Sequence, residues 1–131
     1  MYDDLYEYNE LINRKLERVE ELRAALTSMS AVLGERTTGS HEDRMANLMC
    51  KIVILENELD GLIDDYADRK RKVQQEIYML ENEEWQDIMY MSCIEFKSMK
   101  DIAKIKNTSY ECIKKKRQRA IKCLKTMLTS P

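Results

Sequence analysis

Polar and cationic side chains recur along residues 109–124, near the end of this 131-residue chain. Lys and Arg can donate hydrogen bonds to phosphates and guanine, Gln118 can bridge an adenine, and Glu111 can accept a hydrogen bond from cytosine. The chemistry they offer is recognition of a nucleic acid. The candidate DNA-contacting residues are Ser98, Lys104, Ser109, Tyr110, Glu111, Lys114, Lys115, Arg117, Gln118, Arg119 and Lys122.

Two short helices are expected to position these side chains. Ser98 suits the N-cap of a helix that buries Ile102 and Ala103, and Asn107 can take the left-handed conformation at its end. Ser109 then suits the N-cap of the next helix. Apolar residues recur at helical spacing on one side of that helix, at Ile113, Ala120, Ile121 and Leu124. The pattern predicts a helix-turn-helix whose second helix fits a DNA major groove.

Charge is distributed unevenly along the chain. From Lys97 onward there are eleven bases and two acids, a net of +9, whereas the preceding 96 residues have eleven bases and 22 acids, a net of −11. This asymmetry is expected if only the C-terminal segment meets a polyanion. The alternative is a basic helix face that is merely solvated.

Three residues of the predicted second helix have alternatives of their own. Glu111 lies in the first turn, where a carboxylate also favours the positive end of the helix dipole. Lys116 and Arg117 can instead cover apolar neighbours with their aliphatic stems, as part of the domain's own surface.

The first part of the chain predicts two long helices with heptad seams. The first runs from about Asp3 to Leu33, and its seam is Leu5, Ile12, Val19, Leu22, Leu26, Met29 and Leu33. Gly34 is expected to end it, and Ser40 to cap the second helix after a loop over residues 35–41. The second seam is Met45, Leu48, Ile52, Leu55, Leu59, Leu62, Tyr66, Val73 and Leu80. Facing seams predict a long antiparallel, coiled-coil-like hairpin.

Some features of the hairpin leave its partners open. Four apolar residues fall outside the seams and could instead pair a second chain in a homodimer: Leu11, Leu16, Ile54 and Ile63. The basic run from Arg69 to Lys72 is expected to have no partner in the first helix.

Asn82 marks the predicted domain boundary, because it can cap a third helix from about Glu83 to Cys93. Trp85, Ile88 and Met89 are expected to face inward in that helix. The predicted fold class is therefore all-α, with a helical hairpin over residues 1–81 and a helix-turn-helix DNA-binding domain over residues 82–131.

The C-terminal segment resembles region 4 of bacterial sigma factors. The matching positions are Ser98, Ile102, Ala103, Ser109, Ile113, Arg119, Ala120 and Leu124. The whole layout resembles the small sigma-like regulators encoded by phages and prophages of Gram-positive bacteria. The resemblance implies binding of double-stranded promoter DNA and, in some members, contact with RNA polymerase. It also implies that a set of side chains faces bases or nearby phosphates: Tyr110, Glu111, Lys114, Lys115 and Gln118.

Two positions depart from the family pattern. Lys106 and Lys116 stand where the family has apolar residues. A small rotation of the first short helix would let Ile105 take the place of Lys106.

Other kinds of site are not indicated. The four cysteines lack the spacing of a zinc site or a redox pair, and His41 beside Ser40 and Asp43 suits a helix cap better than a catalytic triad. No phosphate loop or nucleotide fingerprint is present, so neither a metal, a cofactor nor an enzyme activity is expected. The lack of a signal pattern or long apolar run predicts a cytoplasmic protein with no membrane partner. The resemblance to phage and prophage regulators implies that the cell is a bacterial host.

These observations predict a sequence-specific DNA-binding transcriptional regulator. The alternative is a coiled-coil structural or adaptor protein. Its basic head would bind nucleic acid without sequence preference, or bind an acidic partner.

Overall fold

The computed structural model describes residues 3–32 and 39–129, with side chains described over residues 3–30 and 42–129. These ranges contain no strand and five helices, α1 (Asp4–Val32), α2 (Gly39–Tyr78), α3 (Glu83–Cys93), α4 (Met99–Ile105) and α5 (Tyr110–Thr129). The fold is all-α, as predicted. Of the helices in the described part of the chain, none combines the length and the apolar character needed to cross a bilayer.

The start of α2 differs from the prediction. The helix begins at Gly39, so Ser40 lies inside it rather than at its N-cap, and the predicted loop does not reach His41. Several polar residues of this segment suit the first turn of a helix. The sequence alone therefore does not determine at which of them α2 begins. The predicted C-cap Gly34 lies outside the described residues.

The chain divides into two compact units. Residues 8–66 form one, here named the paired-helix unit, and residues 67–129 with residues 3–7 form the other, here named the C-terminal unit. The division falls inside α1 and α2, whereas the expected boundary after residue 81 follows a helix end. That boundary stays a prediction.

Within the paired-helix unit, α1 and α2 run antiparallel. Tyr8 packs edge-on against Tyr66, with ring centroids 6.4 Å apart, and Lys15 Nζ lies 2.9 Å from Glu58 Oε2. The core contains four buried residues with four partly buried ones beside them: Val19, Leu22, Ile52 and Leu59, then Ile12, Leu26, Leu48 and Leu55. All belong to the heptad seams, so the seam periodicity correctly predicted which face of each helix is buried.

Within the C-terminal unit, α3, α4 and α5 contact one another. Their core contains Ile88 and Met91 of α3, Ile102 and Ala103 of α4, and Ile113 of α5. Ala103 is the smallest of these side chains, which permits close approach of the helices. This core holds the outer face of α5 in a defined orientation.

Local capping sets where α3 begins. Asn82 Oδ1 accepts a hydrogen bond from the backbone N–H of Trp85 at 3.2 Å, which confirms the predicted N-cap. The helix ends at Cys93, as predicted, with Ile88 and Met89 buried. Trp85 is only half-buried.

Residues from the start of α1 belong to the C-terminal unit. Leu5 is fully buried, and Tyr6 packs edge-on against Phe96, with ring centroids 5.7 Å apart. Arg69 Nε lies 2.6 Å from Asp4 Oδ2. The expectation that the basic run at residues 69–72 has no partner in the first helix is therefore wrong. The pairing involves two residues far apart in the sequence, which the heptad pattern does not connect.

Candidate nucleic-acid interface

The turn between α4 and α5 orients the candidate interface. Ser98 Oγ accepts a hydrogen bond from Asp101 N–H at 3.1 Å and caps α4. Asn107 has a φ of 53°, the left-handed conformation predicted for it. The N–H of Thr108 then reaches back to Ala103 O at 2.9 Å, which closes the end of α4.

The first turn of α5 is capped as the sequence predicted. Ser109 Oγ accepts a hydrogen bond from Cys112 N–H at 3.2 Å. Ile113, Ala120 and Leu124 are fully buried on the inner side of α5. Because these three residues define the inner side, the helical period determines which side chains point outward.

The outer side of α5 carries most of the predicted DNA contacts. Six of them are exposed there: Glu111, Lys114, Lys115, Gln118, Arg119 and Lys122. None of their charged groups forms an ion pair with a side chain that the structure describes. Tyr110 is also exposed at the start of the helix, and Lys104 is exposed on α4. The structure thus brings a group of unneutralised cations to one helix face.

The two lysines that depart from the family pattern lie elsewhere and pair with α3. Lys106 Nζ lies 2.9 Å from Asp87 Oδ2, and Lys116 Nζ donates to Glu84 Oε1. The hydrogen bond from Lys116 to Glu84 is the main cause that raises the pKa of Lys116 above its usual 10.5. Ile105 does not replace Lys106 in the core, since it is 54 % exposed. Ion pairs with α3 accommodate both lysines.

Arg117 is the predicted DNA contact that the structure places apart from the others. Its Nε donates to Ser92 Oγ at 3.3 Å, and its Nη2 lies 3.0 Å from Asp3 Oδ1. Its side chain is only 20 % exposed. Beside it, burial raises the pKa of the Cys93 thiol, which keeps that thiol protonated at neutral pH. The arginine therefore serves contacts within the C-terminal unit.

The capping serines have limited capacity for DNA contact. Each hydroxyl of Ser98 and Ser109 already accepts a backbone hydrogen bond, although both residues are exposed. A serine hydroxyl can still donate its proton to a phosphate oxygen. Both serines remain compatible with backbone contacts at the ends of the two helices.

Three acidic residues of the site were not identified from the sequence: Asp3, Glu84 and Asp87. A signal existed for the last two, because a lysine at a normally apolar position calls for a nearby carboxylate. Glu84 and Asp87 lie about one turn apart on α3 and serve Lys116 and Lys106. Asp3 had no local signal, because it is separated from Arg117 by 114 positions.

The outer face of α5 can donate hydrogen bonds to phosphates and to base edges, and it has Glu111 as an acceptor. Across residues 3–32 and 39–129 there is no group of three or more His, Cys, Asp and Glu side chains able to hold a metal ion. Compared with known protein families, curated proteins and solved structures, the chain matches none.

Proposed function

We propose that this protein is a sequence-specific DNA-binding transcriptional regulator, of the small sigma region 4-like type that phages and prophages encode. In this proposal α4, the turn at Asn107 and α5 form a helix-turn-helix, and α1 and α2 form a helical hairpin that precedes it. The outer face of α5 reads promoter or operator DNA in the major groove. The proposal includes contact with bacterial RNA polymerase. The only support for that contact is the resemblance to region 4 of sigma factors.

The observation that supports this proposal is the sorting of cations around α5. On the inner side, Lys116 and Arg117 are neutralised by Glu84 and Asp3. On the outer side, five exposed cations have no carboxylate partner among the described side chains: Lys114, Lys115, Arg119, Lys122 and Lys125. A polyanion supplies the missing negative charge with release of its counterions, so this face favours a nucleic acid.

Glu111 favours sequence recognition over a nonspecific grip. It is exposed in the first turn of α5 and has no cation partner among the described residues. A carboxylate on a face that meets phosphates is repelled unless it accepts a hydrogen bond from a base, for which cytosine N4 is the natural donor. The competing explanation for a glutamate at this position is helix stability, because the positive end of the helix dipole stabilises a carboxylate in the first turn.

Binding of a fluorescent DNA duplex, measured by anisotropy over a range of salt concentrations, tests the proposal. If the face neutralises about five phosphates, log affinity should fall with log salt at a slope of about −4 to −5. In a variant with Lys114→Ala, Lys115→Ala and Lys122→Ala, the slope should become shallower by about 3, because each lost phosphate contact contributes about 1.

The matched control removes three exposed cations from the paired-helix unit, with Arg14→Ala, Arg44→Ala and Lys51→Ala. This control has the same net charge as the α5 variant and should retain the wild-type slope. Equal losses in the two variants would show that net charge alone drives binding. An affinity independent of salt would favour the adaptor alternative, with a protein partner.

A further inference from the structure

A groove runs along one side of the paired-helix unit, between α1 and α2. Its floor is formed by the buried core residues Val19 and Leu59. Its apolar walls are Leu16 and Ile63, which are 41 % and 43 % exposed. The volume is about 370 Å³, enough for several side chains of a partner. The groove is part of neither the proposed DNA-reading face nor its supporting core.

The charged residues that line this groove are mostly acidic. Arg23 is neutralised by Glu56, with which it forms an ion pair. Glu20 and Asp60 form no ion pair with any side chain in the described ranges. The groove therefore combines an apolar floor with two uncompensated carboxylates.

We propose that this groove binds an amphipathic helix of another protein, one with apolar side chains on one face and Lys or Arg beside them. A groove between two antiparallel helices suits the ridge of a third helix. Leu16 and Ile63 offer contacts for its apolar side chains, and Glu20 and Asp60 offer carboxylates for its cations. The inference uses no residue of α5 and is independent of DNA binding.

The charge of the groove favours a cationic helix over two other possible occupants, DNA and a second copy of this chain. DNA would place its phosphates against Glu20 and Asp60, which repel them. A second copy that packs groove to groove would bring the same unpaired carboxylates of both chains together, which is also unfavourable. A cationic amphipathic helix satisfies both the apolar floor and the carboxylates.

The test uses the full-length protein and a fluorescent synthetic helix of Leu and Lys, about 18 residues or five turns long. Anisotropy should show saturable binding. The variant Glu20→Lys with Asp60→Lys should bind about tenfold more weakly, because each carboxylate is replaced by a repelling cation. The control Glu17→Lys with Asp64→Lys makes the same charge change at exposed sites outside the groove and should bind within about twofold of wild type.

A second pair of variants tests the apolar contacts. Leu16→Gln with Ile63→Gln should weaken binding of the peptide by at least about tenfold, because both walls of the groove lose apolar contact area. Leu11→Gln with Ile54→Gln makes the same changes at exposed residues outside the groove and should leave binding intact. DNA affinity should be unchanged in all four variants.

Two results would overturn the inference. One is equal peptide binding by the groove variants and their controls, since the protein's general acidity would then explain the attraction. The other is a dimer in sedimentation equilibrium that Leu16→Gln with Ile63→Gln dissociates, since the groove would then belong to a second copy.

Discussion

Lys115 and Lys116 are neighbours in the chain, but α5 directs their side chains into different surroundings. Lys115 is exposed on the outer face, whereas Lys116 donates to Glu84 on α3. The helical turn of 100° per residue accounts for the difference, since it carries Lys116 beyond the edge of the outer face and toward α3. A count of basic residues therefore overstates how many cations α5 offers to DNA.

Exchanging each lysine for alanine should separate the two roles. Lys115→Ala should reduce the salt slope of DNA binding by up to about 1 and change the free energy of unfolding by less than about 0.5 kcal/mol. Lys116→Ala should leave the slope unchanged and lower stability at neutral pH, because Glu84 loses its partner. DNA titrations at several salt concentrations and urea unfolding of both variants provide the measurement.

The pH dependence of the Lys116 effect follows from its raised pKa. A lysine whose pKa is higher in the folded protein contributes its full stabilisation below the ordinary value of 10.5 and loses it as pH rises through the folded-state pKa. The stability gap between wild type and Lys116→Ala should therefore be constant near neutral pH and shrink above 10.5. A gap that stays constant through that range would contradict the assigned ion pair.

At the scale of the secondary-structure elements, the turn between α4 and α5 contains one of the two non-glycine residues with positive φ in the described part of the chain, the other being Phe96 between α3 and α4. Asn107 has a φ of 53°, a region that costs most residues about 1–2 kcal/mol and that Asn and Gly tolerate best. The turn sets the angle at which α5 leaves α4. The conformation of one residue thus determines where the outer face of α5 points.

Substitution of Asn107 should show this requirement. Asn107→Val should lower the free energy of unfolding by about 1–2 kcal/mol, since a β-branched residue is strained at positive φ. Asn107→Gly should be close to neutral, because glycine adopts that conformation without strain. Urea unfolding can be followed through Trp85, the single tryptophan of the chain, which lies in α3 of the same unit.

The exposed helical position Lys104 supplies a control for this pair. Lys104→Val introduces the same side chain where the backbone is ordinary helix, and should cost only a few tenths of a kcal/mol. If Asn107→Val is no more destabilising than Lys104→Val, the turn does not depend on the left-handed residue.

Local signals explain which elements could be predicted. Asn82, Ser98 and Asn107 each act within a few residues of their position, so the start of α3, the start of α4 and the end of α4 agree with the sequence-based expectations. Heptad periodicity likewise predicted the buried face of both long helices. The start of α2 was misplaced because several polar residues around Ser40 suit a helix start equally well.

The ion pairs of Asp3 and Asp4 could not be predicted in the same way. Asp3 meets Arg117, and Asp4 meets Arg69, only because the fold brings the start of α1 into the C-terminal unit. No spacing rule connects such distant residues. The outward set on α5 follows from helical period, but its contact with DNA remains a prediction.

For the whole molecule, the two compact units differ in charge. Residues 8–66 carry twelve acids and seven bases, a net of −5. The remaining residues carry twelve acids and fifteen bases, a net of only +3. The C-terminal unit is nevertheless suited to a polyanion, because several of its acids lie against inward cations and leave the outer cations of α5 without partners.

The measurement that tests the central claim most directly is selection from a randomised DNA library by the full-length protein and Glu111→Ala, side by side. The proposal predicts that wild type enriches a defined motif. It also predicts that Glu111→Ala enriches the same motif with preference relaxed at one base pair, by about 1–3 kcal/mol, and with equal or slightly higher nonspecific affinity. If neither protein enriches any motif, α5 does not read DNA sequence and the basic face serves an adaptor instead.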